Sequence, residues 1–265
     1  MQFKQWIKFI GTTLLATTFA VSSQAEIWSS TEVHYSSGDL LNPFAEKEES
    51  DSTQIVTFQH AGGHKYGDNF FFVDHSRVDD GGTAFYGEWY SNFSLGAITG
   101  EEIGFGKVKD VGLIAGFNFA TAVNNMWLLP GVRLALDLPG FAFANLDITG
   151  YNNVPTTAGA NEEKSSYMLD FNWAYPFEMA GGSWSLEGHA EFIAGRDVIN
   201  AAGVKQYESE NWLLIQPQLR FDLGEAIGAD AGNFYVGLEY QYWKNKLGVR
   251  DQNESTVQLL SVWNF

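Results

Sequence analysis

The chain has 265 residues, with 15 lysines and arginines against 32 aspartates and glutamates, for a formal charge of −17. That balance argues against nucleic acid or anionic lipid as a docking partner. The absence of cysteine excludes a disulfide framework, a thiol nucleophile and a thiolate metal site.

The first predicted element is an export signal. Lys4 and Lys8 form a basic start, and "FIGTTLLATTFAV" follows as an apolar stretch. It is shorter than the roughly 20 apolar residues a membrane helix needs. Ser23 and Ala25 then place small residues in the pattern of a signal-peptidase site. The expectation is a signal peptide over 1–25 and one domain over 26–265. Cleavage removes two lysines and no acids, taking the charge from −17 to −19.

Beyond the signal no amphipathic helix of more than two turns stands out. The recurring feature is apolar/polar alternation in pieces of about ten residues, the length of a tilted membrane strand. Strands are predicted near 26–35, 52–61, 69–77 and 84–95. The first carries His34 and Ser36 on one face, a pair that barrel lipases use, but no longer lipase motif surrounds it. In the third, Phe70, Phe72 and Asp74 share a face. "RVDDGG", with Asp79 and Asp80, reads as an ordinary turn rather than a calcium loop. In the fourth, Phe85, Trp89, Phe93 and Leu95 oppose Tyr86, Glu88, Tyr90 and Asn92.

Further strands are predicted near 108–119, 126–137 and 142–151. Arg133 lies in the second of these, and Phe143, Asn145 and Asp147 share a face of the third. The clearest alternation is over 166–177, where Leu169, Phe171, Trp173 and Tyr175 oppose Asp170 and Asn172. Over 183–194, Trp184, Leu186 and Phe192 oppose Glu187, His189 and Glu191. Those last three have the residue types of an acid/base set or a metal-leaning cluster. Spacings of two arise in any polar lumen, so filling is the plainer reading. Over 212–222, Leu213, Ile215, Leu219 and Phe221 oppose Gln216, Gln218 and Arg220. Strands near 233–244 and 255–265 complete the set, the last with Val257, Leu259, Trp263 and Phe265 on one parity.

Twelve strands return the chain to the side on which it starts, as single-chain bacterial barrels require. Connections after even strands are mostly short and Gly-rich, such as "DLPG" and "MAGG". Those after odd strands are often long and acidic, such as the stretch around Glu46 to Ser50. The fold class expected is all-β: a closed transmembrane antiparallel β-barrel of about twelve strands following a cleaved signal peptide. A secreted β-sandwich also alternates, but its outer face is richly charged. A barrel also explains a strand that runs to the last residue, because the last strand pairs with the first and no edge stays open.

The polar parity then faces a lumen. The pore-lining candidates are Phe70, Phe72, Asp74, Tyr86, Glu88, Tyr90, Asn92, Arg133, Glu187, His189 and Glu191. Aromatics interleaved with carboxylates and amides suit a flat, hydrogen-bonding solute. Plain filling of a small barrel competes with that reading. Arg133 and Arg220 are expected to neutralise lumen acids. No P-loop, GxSxG, HExxH or dinucleotide fingerprint is present. No catalytic set, metal or cofactor is therefore expected.

"TFQHAGGHKYGDNFFFVD" (57–74) and "YGEWYSNFSLGAITGEEIGFGKVKDVGL" (86–113) resemble the Tsx-like family of nucleoside-specific outer-membrane channels, including its marine phage-receptor branch. Asp68, Asn69, Phe70, Phe71, Phe72 and Asp74 match one motif stretch of that family, and Gly87, Glu88, Phe93 and Ser94 another. The resemblance implies a monomeric twelve-stranded barrel with a narrow, nucleoside-passing pore in a Gram-negative outer membrane. It also implies use of Phe265 by the barrel assembly machinery and a role as phage receptor. The alternatives from other classes are a lipase-like barrel enzyme and a plugged structural or receptor barrel.

Overall fold

A computed structural model describes residues 27–45, 50–78, 82–155, 157 and 161–265. The expected signal over 1–25, the Asp79–Asp80 turn and the centre of the first acidic loop lie outside the described residues. Sixteen strand segments form the fold: β1 (Trp28–Leu41), β2 (Ser50–His64), β3 (Gly67–Val78), β4 (Thr83–Ser94), β5 (Val108–Ala120), β6 (Asn125–Leu128), β7 (Gly131–Leu136), β8 (Phe143–Pro155), β9 (Glu162–Glu163), β10 (Ser166–Met179), β11 (Gly182–Ile193), β12 (Arg196–Ile199), β13 (Lys205–Ser209), β14 (Trp212–Asp222), β15 (Phe234–Lys244) and β16 (Glu254–Asn264).

All but β9, β12 and β13 belong to one antiparallel sheet. The sheet closes on itself, because β16 pairs with β1 in register from Glu32↔Asn264 to Ser37↔Leu259. Segments β6 and β7 together make one wall strand, since both pair with β5 on one side and β8 on the other. The result is a closed twelve-stranded antiparallel barrel. The split falls at Leu129 and Pro130. Proline has no N–H for the ladder, and here its carbonyl instead accepts from Gly150 at 2.8 Å.

Each of the twelve strands expected from alternation is present. Several are longer than expected: β1 reaches Leu41 and β2 begins at Ser50. Polar residues such as Asp39, Asp51 and Ser52 continue the ladder there, since backbone pairing does not need apolar side chains. Two connections on one rim, called here the terminal rim because both described ends lie at it, are tight. Lys65–Tyr66 joins β2 to β3, and Ala180–Gly181 joins β10 to β11. Ala180 and Gly181 both have positive φ, at 54° and 79°. Those values suit a two-residue hairpin whose twist matches its strands, and glycine takes the conformation without strain. On the opposite, loop rim, β9, β12 and β13 form a separate three-stranded sheet.

The two faces of the wall differ sharply. Outward positions carry Tyr35, Val56, Phe58, Phe85, Leu113, Ile148, Leu238 and Leu259, all exposed. An apolar belt around a closed barrel leaves no edge and no unpaired backbone for lipid to meet. No helix among the described residues is long and apolar enough to cross a membrane. Crossing is a property of the strands.

Candidate functional site

All eleven pore-lining candidates fall on inward positions. The registers place them in one sequence around the wall: Phe72 opposite Glu88, Phe70 opposite Tyr90 and Asp74 opposite Tyr86. Asp170 lies opposite Glu191 and Asn172 opposite His189. The inner aromatics form a ladder, with Phe70 6.1 Å from Phe72 and Phe72 5.9 Å from Tyr86. Glu88 collects the hydroxyls of Tyr86 and Tyr90, the latter at 2.8 Å, and the amide of Asn118 at 3.0 Å. Asp74 accepts from Thr57 at 2.6 Å.

The two lumen arginines each clamp carboxylates. Arg133 grips Asp147 with two bonds of 2.7 Å and reaches Asp68 at 2.9 Å. This planar fork is the strong form of a charge-assisted bond. Asn92 donates to the same Asp68 at 2.8 Å. Arg220 lies 3.2 Å from both Glu32 and Glu187.

Glu187, His189 and Glu191 do not converge on one point. Glu187 goes to Arg220 and accepts from Ser185 at 2.6 Å. His189 pairs with Asp170 at 3.2 Å. Among the described residues no group of His, Cys, Asp and Glu has the arrangement to hold a metal ion. His34 is bonded to Glu32 at 2.7 Å, and no bond joins it to Ser36. Both face inward and are buried.

Toward the loop rim the lumen changes character. Tyr90, Trp127, Leu129, Tyr151, Met168, Ile193, Trp212, Leu214 and Trp243 form one buried apolar cluster, with Phe70 packed against it. Leu129 and Met168 are fully buried. Above them Arg196 of β12 lies with its guanidinium 4.7 Å from the Tyr151 ring and 4.6 Å from the Trp212 ring. Its Nε donates to Glu163 of β9 at 2.5 Å, and the Trp127 indole donates to the same carboxylate at 2.9 Å. Neither Arg196 nor Glu163 stands out in the sequence, because both lie in loop segments with no alternation. Nearby, Lys246 bonds Glu254 at 2.8 Å, and burial holds its ammonium below the usual lysine range despite that partner.

Several charged side chains of the lumen keep accessible surface. His189 faces inward from the middle of β11, yet its side chain remains 26% accessible. Glu187 remains 29% accessible and Asp68 30%. A cavity of about 220 Å³ opens at the terminal rim, lined by Ala174, Ser185, Glu187, Asp222 and Tyr235. One of about 260 Å³ lies at the loop rim against Asn125, Glu163, Val198, Tyr207 and Leu247. Glu163, which Arg196 and Trp127 both bond, is part of the lining of the second cavity.

No protein-family model matches the chain, and no curated protein matches it. Among solved structures it is similar to the KdgM porin in complex with disordered oligogalacturonate, at 8% identity over 89% of this chain and 99% of the porin, with a TM-score of 0.47. It is also similar to the transport unit of the autotransporter AIDA-I from Escherichia coli, at 13% identity over 92% and 91% of the two chains, with a TM-score of 0.37. The translocator domain of the autotransporter NalP from Neisseria meningitidis gives 10% identity, 98% and 96% coverage and a TM-score of 0.36. Likenesses at this level carry nothing about function. The barrel itself is established by the chain's own closed hydrogen-bond ladder.

Proposed function

We propose that the protein is a passive, substrate-selective diffusion channel for small hydrophilic solutes in a Gram-negative outer membrane, reached through an export signal over 1–25. The observation that carries this reading is the partial accessibility of His189 deep within a polar lumen. A barrel that served only as a scaffold has no need of water-accessible charged groups at that depth. The apolar belt supports the membrane setting, and a β16 that ends beside β1 suits assembly machinery acting through Phe265.

Nucleosides are the solute class we favour. The Phe70, Phe72 and Tyr86 ladder offers ring faces, and Asp74, Glu88 and Asn92 offer bonds to sugar and base edges. The resemblance of 57–74 and 86–113 to nucleoside channels points the same way. An acidic oligosaccharide such as the porin's oligogalacturonate suits this carboxylate-rich wall poorly. A catalytic role has no Ser–His bond or metal cluster among the described residues behind it.

Planar-bilayer conductance of the purified barrel, with and without nucleosides, tests the reading. Steps of current that added nucleoside partly blocks are expected. Current blocked by a different small solute instead would defeat the nucleoside assignment alone. A second reading, a plugged barrel serving as a surface receptor such as for phage, is favoured by the fully buried Leu129 and Met168 at the loop end. A protein that never conducts would select it.

A further inference from the structure

Carboxylates that face inward from the wall strands include Glu32, Asp68, Asp74, Glu88, Asp147, Asp170, Glu187, Glu191 and Glu239. Arg133 and Arg220 each clamp two of them, so each such group keeps a net negative charge. His189 is taken by Asp170. Of these, Asp74, Glu88, Glu191 and Glu239 form no salt bridge with any described residue. Three of these are held by neutral donors. Thr57 bonds Asp74, and Tyr90 and Asn118 bond Glu88. Gln216, Gln218 and Gln258 bond Glu239 at 2.7, 2.5 and 2.7 Å. Asp74 and Glu88 face the lumen from neighbouring strands, with Tyr86 opposite Asp74 and Phe72 opposite Glu88, and Gln258 stands opposite Glu239 on the β15–β16 pair.

A second observation points to what this band lacks. Gln258 is fully buried and faces inward beside Glu239, and its side-chain carbonyl has no donor among the described residues. Its amide nitrogen is spent on Glu239, so the free atom is an acceptor. Carboxylates solvated by neutral side chains, with a spare acceptor among them, complement a cation or an N–H-rich solute. In a narrow, low-dielectric lumen their field adds up and concentrates counter-ions. Rings of acidic side chains select cations in channels for this reason.

We infer that the Asp74–Glu88–Glu191–Glu239 band makes the lumen a cation filter. It admits inorganic cations and solutes bearing ammonium, guanidinium or several N–H groups, and turns back carboxylates and phosphates. The inference rests on the channel reading above and adds to it the charge class of what passes.

The test is the reversal potential of the full barrel in a planar bilayer under a potassium chloride gradient. The wild type should favour potassium over chloride by roughly tenfold or more. Glu88→Gln with Glu239→Gln should lower that ratio several-fold. Asp74→Asn alone, which disturbs one threonine bond, should lower it less and guards against misfolding of the double variant. A wild type that conducts without preferring potassium overturns the inference and leaves the channel standing. An unchanged ratio in both folded variants overturns the assignment to this band. A barrel that conducts no ions defeats the channel reading and the filter together.

Discussion

At the scale of single residues, neighbours in sequence meet opposite solvents. Phe171 points outward and stacks on Trp173 at 5.3 Å. Asn172 points inward and bonds Asp170 at 2.8 Å and Asn145 at 3.0 Å. Phe171→Arg should cost about 2–4 kcal/mol, the price of a cation near the bilayer midplane. Asn172→Arg should cost less, because Asp170 and Asp147 lie within reach of the new cation. Reversible folding into lipid vesicles measures both, and the opposite order would mean that the wall parity is wrong. The aromatic ladder makes a second prediction. Base stacking on a side chain contributes roughly 1–3 kcal/mol, and a channel must bind weakly enough to release. Phe72→Ala with Tyr86→Ala should weaken nucleoside block of the current, with open conductance equal or larger.

At the scale of elements, the loop-rim sheet acts as a latch on the barrel mouth. Its contacts with the wall include Arg196 lying on the Tyr151 and Trp212 rings, the Trp127 indole donating to Glu163, and the Glu163 backbone N–H donating to Asn153. Cation–π contacts are each modest unless desolvated, and Arg196 is almost wholly buried. Arg196→Ala should leave the twelve-stranded wall intact and raise the frequency or size of conductance steps. Identical single-channel traces for variant and wild type would show that the latch does not gate. The closing strand is the other decisive element. Phe265 donates its backbone N–H to Thr31 at 2.9 Å, and its ring lies 6.2 Å from Trp263. Trp263 in turn lies 5.7 Å from Phe234. Removing Phe265 loosens the β16–β1 seam at its end, so assembly should slow and unfolded periplasmic material should accumulate. Normal surface levels of the truncated protein, read by immunoblot of membrane fractions, would count against that role.

At the scale of the whole molecule, closure and topology set what each end can meet. The tight turns lie on one rim and the β9–β12–β13 sheet on the other. If the termini face the periplasm, Lys65→Cys lies inside the cell envelope and Ala202→Cys outside. The chain has no cysteine of its own, so each variant carries a single reporter. An impermeant thiol reagent on intact cells should label Ala202→Cys and spare Lys65→Cys. Equal labelling would remove the topology, and with it the membrane reading.

The sequence by itself determined the parity of the wall. A strand has a period of two, so a run such as Leu169 to Tyr175 can bury one face in lipid in only one way. The same period put all eleven candidate residues on the inward face. Strand ends were less legible, because polar residues such as Asp39 and Asp51 prolong a ladder that only backbone groups maintain. Tertiary structure alone decided which charges are compensated. Arg133 meets Asp147 14 positions away and Arg220 meets Glu32 188 positions away, across strands whose neighbours follow from closure. It also decided that Arg196, in a segment without periodicity, seats on Tyr151 and Trp212. Alternation reports which solvent a side chain faces. It says nothing of which partner shares the lumen, because that depends on bringing distant strands around one closed ring.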